Sequence, residues 1–308
     1  MLKKVTITNY LGEKVEYKIE GVDVNANNGL LITKIDGLGP VKANINMTKY
    51  ATADNDTYNS ARLGGRNIVI NARFTNCPTI EEARLSSYKF FPIKKKVTFK
   101  IETDNRIAET TGYVESNEPN IFSKESDMQI SIVCESAFFL SPNEDVTIFS
   151  GVDPLFEFPF ENNTVNEMQW VELIEFGAII NKKTAVVPYS GDSQVGCIIT
   201  LHAIGTVANV TIYNMLTRER MKIDTAKLAS LTGNGIIAGD TITICTITGK
   251  KSINLLRGGE NINILNVLGK NVDWLTLTKG DNVFGFIADD GEENVQLKVS
   301  SQVSYEGV

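Results

Sequence analysis

The stretch Cys197-Ile198-Ile199-Thr200-Leu201-His202-Ala203 sets an apolar residue at every second position. The same alternation recurs at Val210 and Ile212, Ile242 and Ile244, Ile253 and Leu255, and at Val295, Leu297 and Val299. A period of two belongs to strands with one buried face, whereas a helix repeats every three or four residues. Glycine-bearing turns punctuate the pieces: Gly233-Asn234-Gly235, Gly239-Asp240, Thr248-Gly249-Lys250, Lys279-Gly280-Asp281-Asn282 and Asp290-Gly291. Many short strands at this spacing predict an antiparallel β-sandwich over residues 145–308. Nothing in the stretch has a catalytic arrangement, which moves the question from chemistry to assembly.

Working back toward the start, the rhythm changes. Strand-like pieces lie at Val5–Thr8, Val15–Ile19, Leu30–Ile35, Val41–Met47, Ile68–Phe74, Val97–Glu102, Glu109–Ser116 and Gln129–Cys134. One helix stands among them. Thr79-Ile80-Glu81-Glu82 is a capping box with Thr79 as N-cap, Pro92 stops the helix, and Leu85, Tyr88 and Phe91 are its expected buried stripe. A sheet with a single helix makes residues 1–140 an α+β domain, so the chain as a whole is mainly β. The boundary is expected near Ser141-Pro142-Asn143-Glu144-Asp145. Between two strands, Tyr50–Ser60 is polar and cannot bury much surface alone. Long segments of this kind inside a domain are usually functional, and residues 48–66 are expected to project and order against another chain.

At 308 residues the chain holds one large or two ordinary domains, and its net charge of −7 disfavours wrapping nucleic acid, which calls for a concentrated basic footprint. The densest basic run, Lys94-Lys95-Lys96, reads as a solvated element end. Cys77, Cys134, Cys197 and Cys245 have no short spacing and sit in or beside apolar runs, so they read as small buried hydrophobes. The first ten residues lack the apolar core of a signal peptide, and no stretch is long enough for a membrane helix. The expected setting is therefore a reducing cytoplasm with no membrane partner.

The chemical motifs fail one by one. Asp23-Val24-Asn25-Ala26-Asn27-Asn28-Gly29 resembles the start of a calcium loop, but its glycine comes one residue late and Lys34 stands where the bidentate glutamate belongs. A metal site is thus not expected, nor any cofactor. Gly233-Asn234-Gly235-Ile236-Ile237-Ala238-Gly239 lies among strands and reads as hairpin turns rather than a phosphate loop. His202 is the only histidine and reads as structural, because a triad or zinc site needs partners that it lacks. Glu157, Glu161 and the acidic turn Asp289–Glu293 are carboxylates by type alone, so no catalytic pair is assigned. Trp170 and Trp274 could stack on a sugar, although core or edge packing is the favoured reading. In Arg62-Leu63-Gly64-Gly65-Arg66 the two guanidinium groups could grip an anion; exposed arginines at a protein interface are favoured.

Several stretches together resemble the distal tail proteins of siphophages. These are Leu31–Leu38, Arg66–Ile70, the capped helix, Gly112–Glu115, Met128–Phe139, Phe156–Phe160, Asn209–Asn214, Gly239–Ile244, Trp274–Leu277 and Gly280–Asn282. The resemblance covers nearly the whole chain. It implies a non-enzymatic virion protein at the tail tip, whose first domain joins copies into a homo-hexameric ring below the tail-tube protein. A projecting belt would lace neighbours, with Tyr50, Tyr58, Arg62 and Arg66 as candidate interface residues. The second domain would be a galectin-like sandwich with an insertion around 162–194, docking receptor-binding proteins, while the ring opens onto a hub or lysin protein. DNA would pass through without specific binding. The sugar-binding pattern of galectins is missing, since Ile204 and Thr206 follow His202. A carbohydrate-binding module working through Trp274 or Trp170 is the alternative reading.

Overall fold

The structure is a computed structural model and describes residues 2–18, 30–51, 54–74, 79–121, 127–154 and 177–308. The chain divides into two compact units, the first made of Met1–Asn143 with Ser304–Val308 and the second of Glu144–Val303. The last five residues therefore leave the sandwich region to which the sequence pattern assigned them and return to the first unit.

The first unit contains β1 (Leu2–Thr8), β2 (Lys14–Lys18), β3 (Leu30–Asp36), β4 (Ala43–Thr48), β5 (Thr57–Leu63) and β6 (Asn67–Phe74). After these come α1 (Ile80–Phe90), β7 (Lys96–Thr103), β8 (Ile107–Pro119), β9 (Asp127–Cys134) and β10 (Phe139–Ile148), which runs on into the second unit. Seven strands pair antiparallel in the order β2-β1-β7-β8-β9-β6-β3. The long β8 makes this path possible, pairing with β7 through its first half and with β9 through its second. Alternate residues turn inward, among them Ile68 and Ile70, Phe99 and Ile101, and Ile130 and Ile132.

Helix α1 starts as its capping box requires, with the Thr79 hydroxyl accepting from the Glu82 N–H. Its buried side is not the expected one. Leu85 and Tyr88 are exposed, whereas Ala83, Ser87 and Phe91 are buried. Steps of three fall about 60° short of a full turn each time, so a 85–88–91 stripe rotates off the core, while 83, 87 and 91 keep to it in steps of four.

The second unit contains β11 (Ser150–Pro154), β12 (Gly177–Asn181), β13 (Thr184–Tyr189), β14 (Val195–Gly196), β15 (Ile198–Ala203), β16 (Thr211–Asn214) and β17 (Arg220–Lys222). There follow α2 (Thr225–Thr232), β18 (Thr241–Cys245), β19 (Ser252–Arg257), β20 (Glu260–Asn263), β21 (Thr276–Leu277), β22 (Gly280–Ile287) and β23 (Val295–Tyr305). Two antiparallel sheets, β23-β15-β18-β19-β20 and β13-β22-β16-β17, enclose one core. Every alternating residue quoted at the outset is at most 1% exposed, so the β-sandwich reading holds.

Helix α2 departs from an all-strand reading. Asp224 caps α2 by accepting from the Ala226 and Lys227 N–H groups at 3.0 and 3.2 Å, and Gly233 ends it at φ +83°. Gly233 is thus a helix C-cap rather than a hairpin glycine. The Asp240 carboxylate, expected in a surface turn, is 1% exposed and grips Arg257 at 2.8 and 2.6 Å.

Candidate assembly surface

Among the described residues, strands β4 and β5 pair only with each other and form a separate two-stranded sheet in the first unit. Their register runs Ala43–Leu63, Asn44–Arg62, Ile45–Ala61 and Asn46–Ser60, then skips Asn59 to reach Met47–Tyr58 and Thr48–Thr57. Residues directly opposite share a face. One face therefore carries Ala43, Ile45, Met47, Tyr58, Ala61 and Leu63, all apolar or aromatic. The other carries Asn44, Asn46, Thr48, Thr57, Ser60 and Arg62, all polar. The bulge at Asn59 is what keeps the faces pure: in regular pairing Asn59 would stand opposite Met47 and Tyr58 would turn to the polar side. The extra residue is held by its own side chain, which donates to the Thr48 hydroxyl at 2.7 Å.

Both faces are open. Ile45 and Tyr58 are each 60% exposed, Met47 46% and Leu63 38%. An isolated hairpin is marginal in water, and a contiguous apolar face on one marks a place where another surface belongs. Tyr50, past the end of β4, is exposed as well. Within segment 48–66, read from sequence as a polar projecting loop, Thr57–Leu63 is thus the second strand of an amphipathic hairpin whose first strand, Ala43–Thr48, lies mostly upstream of the segment.

The sequence-nominated residues separate at this point. Tyr58 sits on the apolar face, Arg62 on the polar face, and Tyr50 beyond the strand end. Arg66 is a correction: it was expected exposed at an interface, yet it is 1% exposed inside the first unit. Its guanidinium lies 4.0 Å from the Phe139 ring centroid, and burial pushes its pKa below the usual range. Full burial is tolerated because backbone carbonyls take every donor it has, which a reading from composition could not foresee.

In the second unit Trp274 packs half-buried against the core with Lys251 Nζ 5.0 Å from its ring, and Trp170 lies outside the described residues. His202 shares a hydrogen bond with the Thr241 hydroxyl at 3.0 Å. Cys134 and Cys197 are buried and Cys245 half-buried, while Cys77, Glu157, Glu161 and the calcium-like stretch 23–29 lie outside the described residues. Burial pushes the Cys197 thiol up to about 12. Lys94–Lys96 are exposed, with Lys95 Nζ 5.4 Å from the Tyr10 ring. Among the described residues, no group of three or more His, Cys, Asp or Glu could hold a metal ion. What the described residues offer is a binding surface, the open apolar face of the β4–β5 hairpin.

The chain has the fold of a solved phage hub protein. It matches the crystal structure of the SPP1 Dit protein, a paradigm of hub adsorption apparatus in phages infecting Gram-positive bacteria. The TM-score is 0.62 at 11% identity, over 97% of this chain and 98% of that one. Two structures of the phage P2 baseplate in its activated conformation align more loosely. The calcium form gives TM-score 0.44 at 8% identity, over 97% and 98% of the two chains. The strontium form gives 0.43 at 8%, over 97% of each. No family profile and no curated protein matches the sequence. At these identities the likeness is one of fold, and it rests on the SPP1 protein.

Proposed function

We propose that this chain is a structural protein of a phage tail tip or baseplate, and that copies join side by side through the β4–β5 hairpin. The open apolar face of that hairpin carries the reading, because exposed Ile45, Met47, Tyr58 and Leu63 have a physical reason to be there only if another surface covers them. Fold likeness to a hub protein over nearly the whole chain supports the tail setting. The full reading is a homo-hexameric ring below the tail-tube protein, open to a hub or lysin protein. The second unit docks receptor-binding proteins. A net charge of −7 suits a conduit, since a basic lumen would hold DNA phosphates. No catalytic role is assigned.

Molar mass by light scattering, with negative-stain images of the same peak, tests this. Six copies per particle and a central hole are expected for the intact chain. Replacing residues 44–62 by a short glycine turn, which spares Arg66, should give folded monomers. A ring that persists without the hairpin refutes the proposed joint.

A further inference from the structure

Because β4 and β5 pair with no other described strand, the direction of the hairpin is set at its root. The chain enters through Gly37-Leu38-Gly39-Pro40 and returns through Gly64-Gly65-Arg66. Both roots meet at one side chain. Arg66 Nη1 donates to the Gly37 and Gly39 carbonyls at 2.5 and 2.6 Å. Its Nε and Nη2 donate to the Ala137 carbonyl at 3.2 and 2.7 Å, and Nη2 also reaches the Glu306 carbonyl at 2.6 Å. A guanidinium has five N–H donors in a rigid fork, and here all are used. Arg66 thus ties the exit of the hairpin to its entrance, to the turn before β10, and to the last residues of the sequence.

Those last residues brace the entrance from another side. The Val308 N–H donates to the Leu38 carbonyl at 3.1 Å. Gly307 lies so close that an added Cβ would come within 3.2 Å of Pro40 Cδ and 3.3 Å of Gly39. Arg106 donates to the Gly307 carbonyl at 3.0 Å and stands 4.7 Å from the Tyr305 ring centroid, holding the segment down. Gly37 itself has φ +88°, and a Cβ there would fall 2.1 Å from the Asn67 carbonyl, so this root admits only glycine.

We propose that Arg66 and the segment Glu306–Val308 form a socket that aims the hairpin, making them positioning residues for assembly that act from beneath the apolar face. The inference rests on the hairpin being the joint between copies. Leverage makes the socket matter. Six residues of strand span about 20 Å. A tilt of about 15° at the root then moves the tip by about 5 Å, beyond the 4–4.5 Å within which apolar side chains touch.

Nitroxide labels at Ser60→Cys on the hairpin and Lys96→Cys on β7, with accessible native cysteines replaced by serine, read the aim as a distance distribution in dilute protein. Particle mass at higher concentration reads assembly. Arg66→Lys keeps the charge but loses the fork, and Gly307→Val wedges the entrance without touching the guanidinium. Both should retain the circular dichroism of the parent, shift or broaden the distribution by about 5 Å, and lose the ring. Tyr58→Ser should lose the ring with the distribution unchanged. Folded Gly307→Val with the parent distribution overturns the inference, as does a shifted distribution with an intact ring; if Arg66→Lys fails to fold, Gly307→Val alone decides. A parent chain that never assembles refutes the joint instead, and the distance shift still judges the socket.

Discussion

Replacing Tyr58 by serine should weaken association between copies by roughly 5- to 150-fold while leaving the separate chain as stable as before. Tyr58 is 60% exposed on the apolar face of the hairpin. A covered aromatic side chain buries about 150–250 Å². About 90–150 Å² therefore awaits a partner, worth about 2–4 kcal/mol at about 25 cal/mol per Å². Immobilising the ring costs about 0.5–1.5 kcal/mol. The remainder of about 1–3 kcal/mol, at about 1.4 kcal/mol per decade, gives the stated range. Sedimentation over a concentration series measures the association, and thermal melting checks the fold. Ser60→Ala and Thr57→Ala, on the polar face, are the controls and should leave association within about twofold. Equal losses on the two faces, or none from Tyr58→Ser, would refute the reasoning, because a hairpin joint must distinguish its faces.

Arg66→Met strips four backbone carbonyls of a charged donor and should cost the first unit at least about 2 kcal/mol, read as a lower denaturant midpoint. Asp240→Ala leaves the Ile237 N–H without its acceptor and the Arg257 guanidinium with only the Thr232 hydroxyl and the Gly235 carbonyl, and should cost the second unit at least about 2 kcal/mol. A change under 1 kcal/mol in hydrogen-exchange protection of β18 and β19 would contradict that. Cys197, with its thiol pushed up to about 12, should resist Ellman's reagent at pH 8 in the folded chain while half-buried Cys245 reacts. The native state then holds a proton that the unfolded chain, with its thiol near its ordinary value of 9.0, has lost, so stability falls as pH rises from there toward about 12. Substituting Cys197 by alanine should flatten that segment of the stability curve.

Legibility in the sequence followed the regularity of the pattern. The sandwich strands showed plainly because both neighbours of each inward residue face outward, as at Ile199 and Leu201 or Ile242 and Ile244. The hairpin was hidden by its bulge. Apolar residues stand at 43, 45 and 47 but then at 58, 61 and 63, and the step of three breaks the period that betrays a strand. Helix α2 escaped notice because its eight residues bury only Leu228 and so display no stripe. Its two ends, Asp224 and Gly233, were the available signal.

The local order of this protein was already present in its chain: which residues alternate, and where Thr79 starts a helix. These depend on neighbours a few positions apart, where backbone geometry leaves few choices. What only the tertiary structure decided is where charge and apolar surface end up. Arg66 finds acceptors 27 to 240 positions away, so its burial follows from no local pattern. The apolar face of the hairpin stays uncovered because no part of the described chain folds back over it, and a property of that kind belongs to the finished surface rather than to any stretch of sequence.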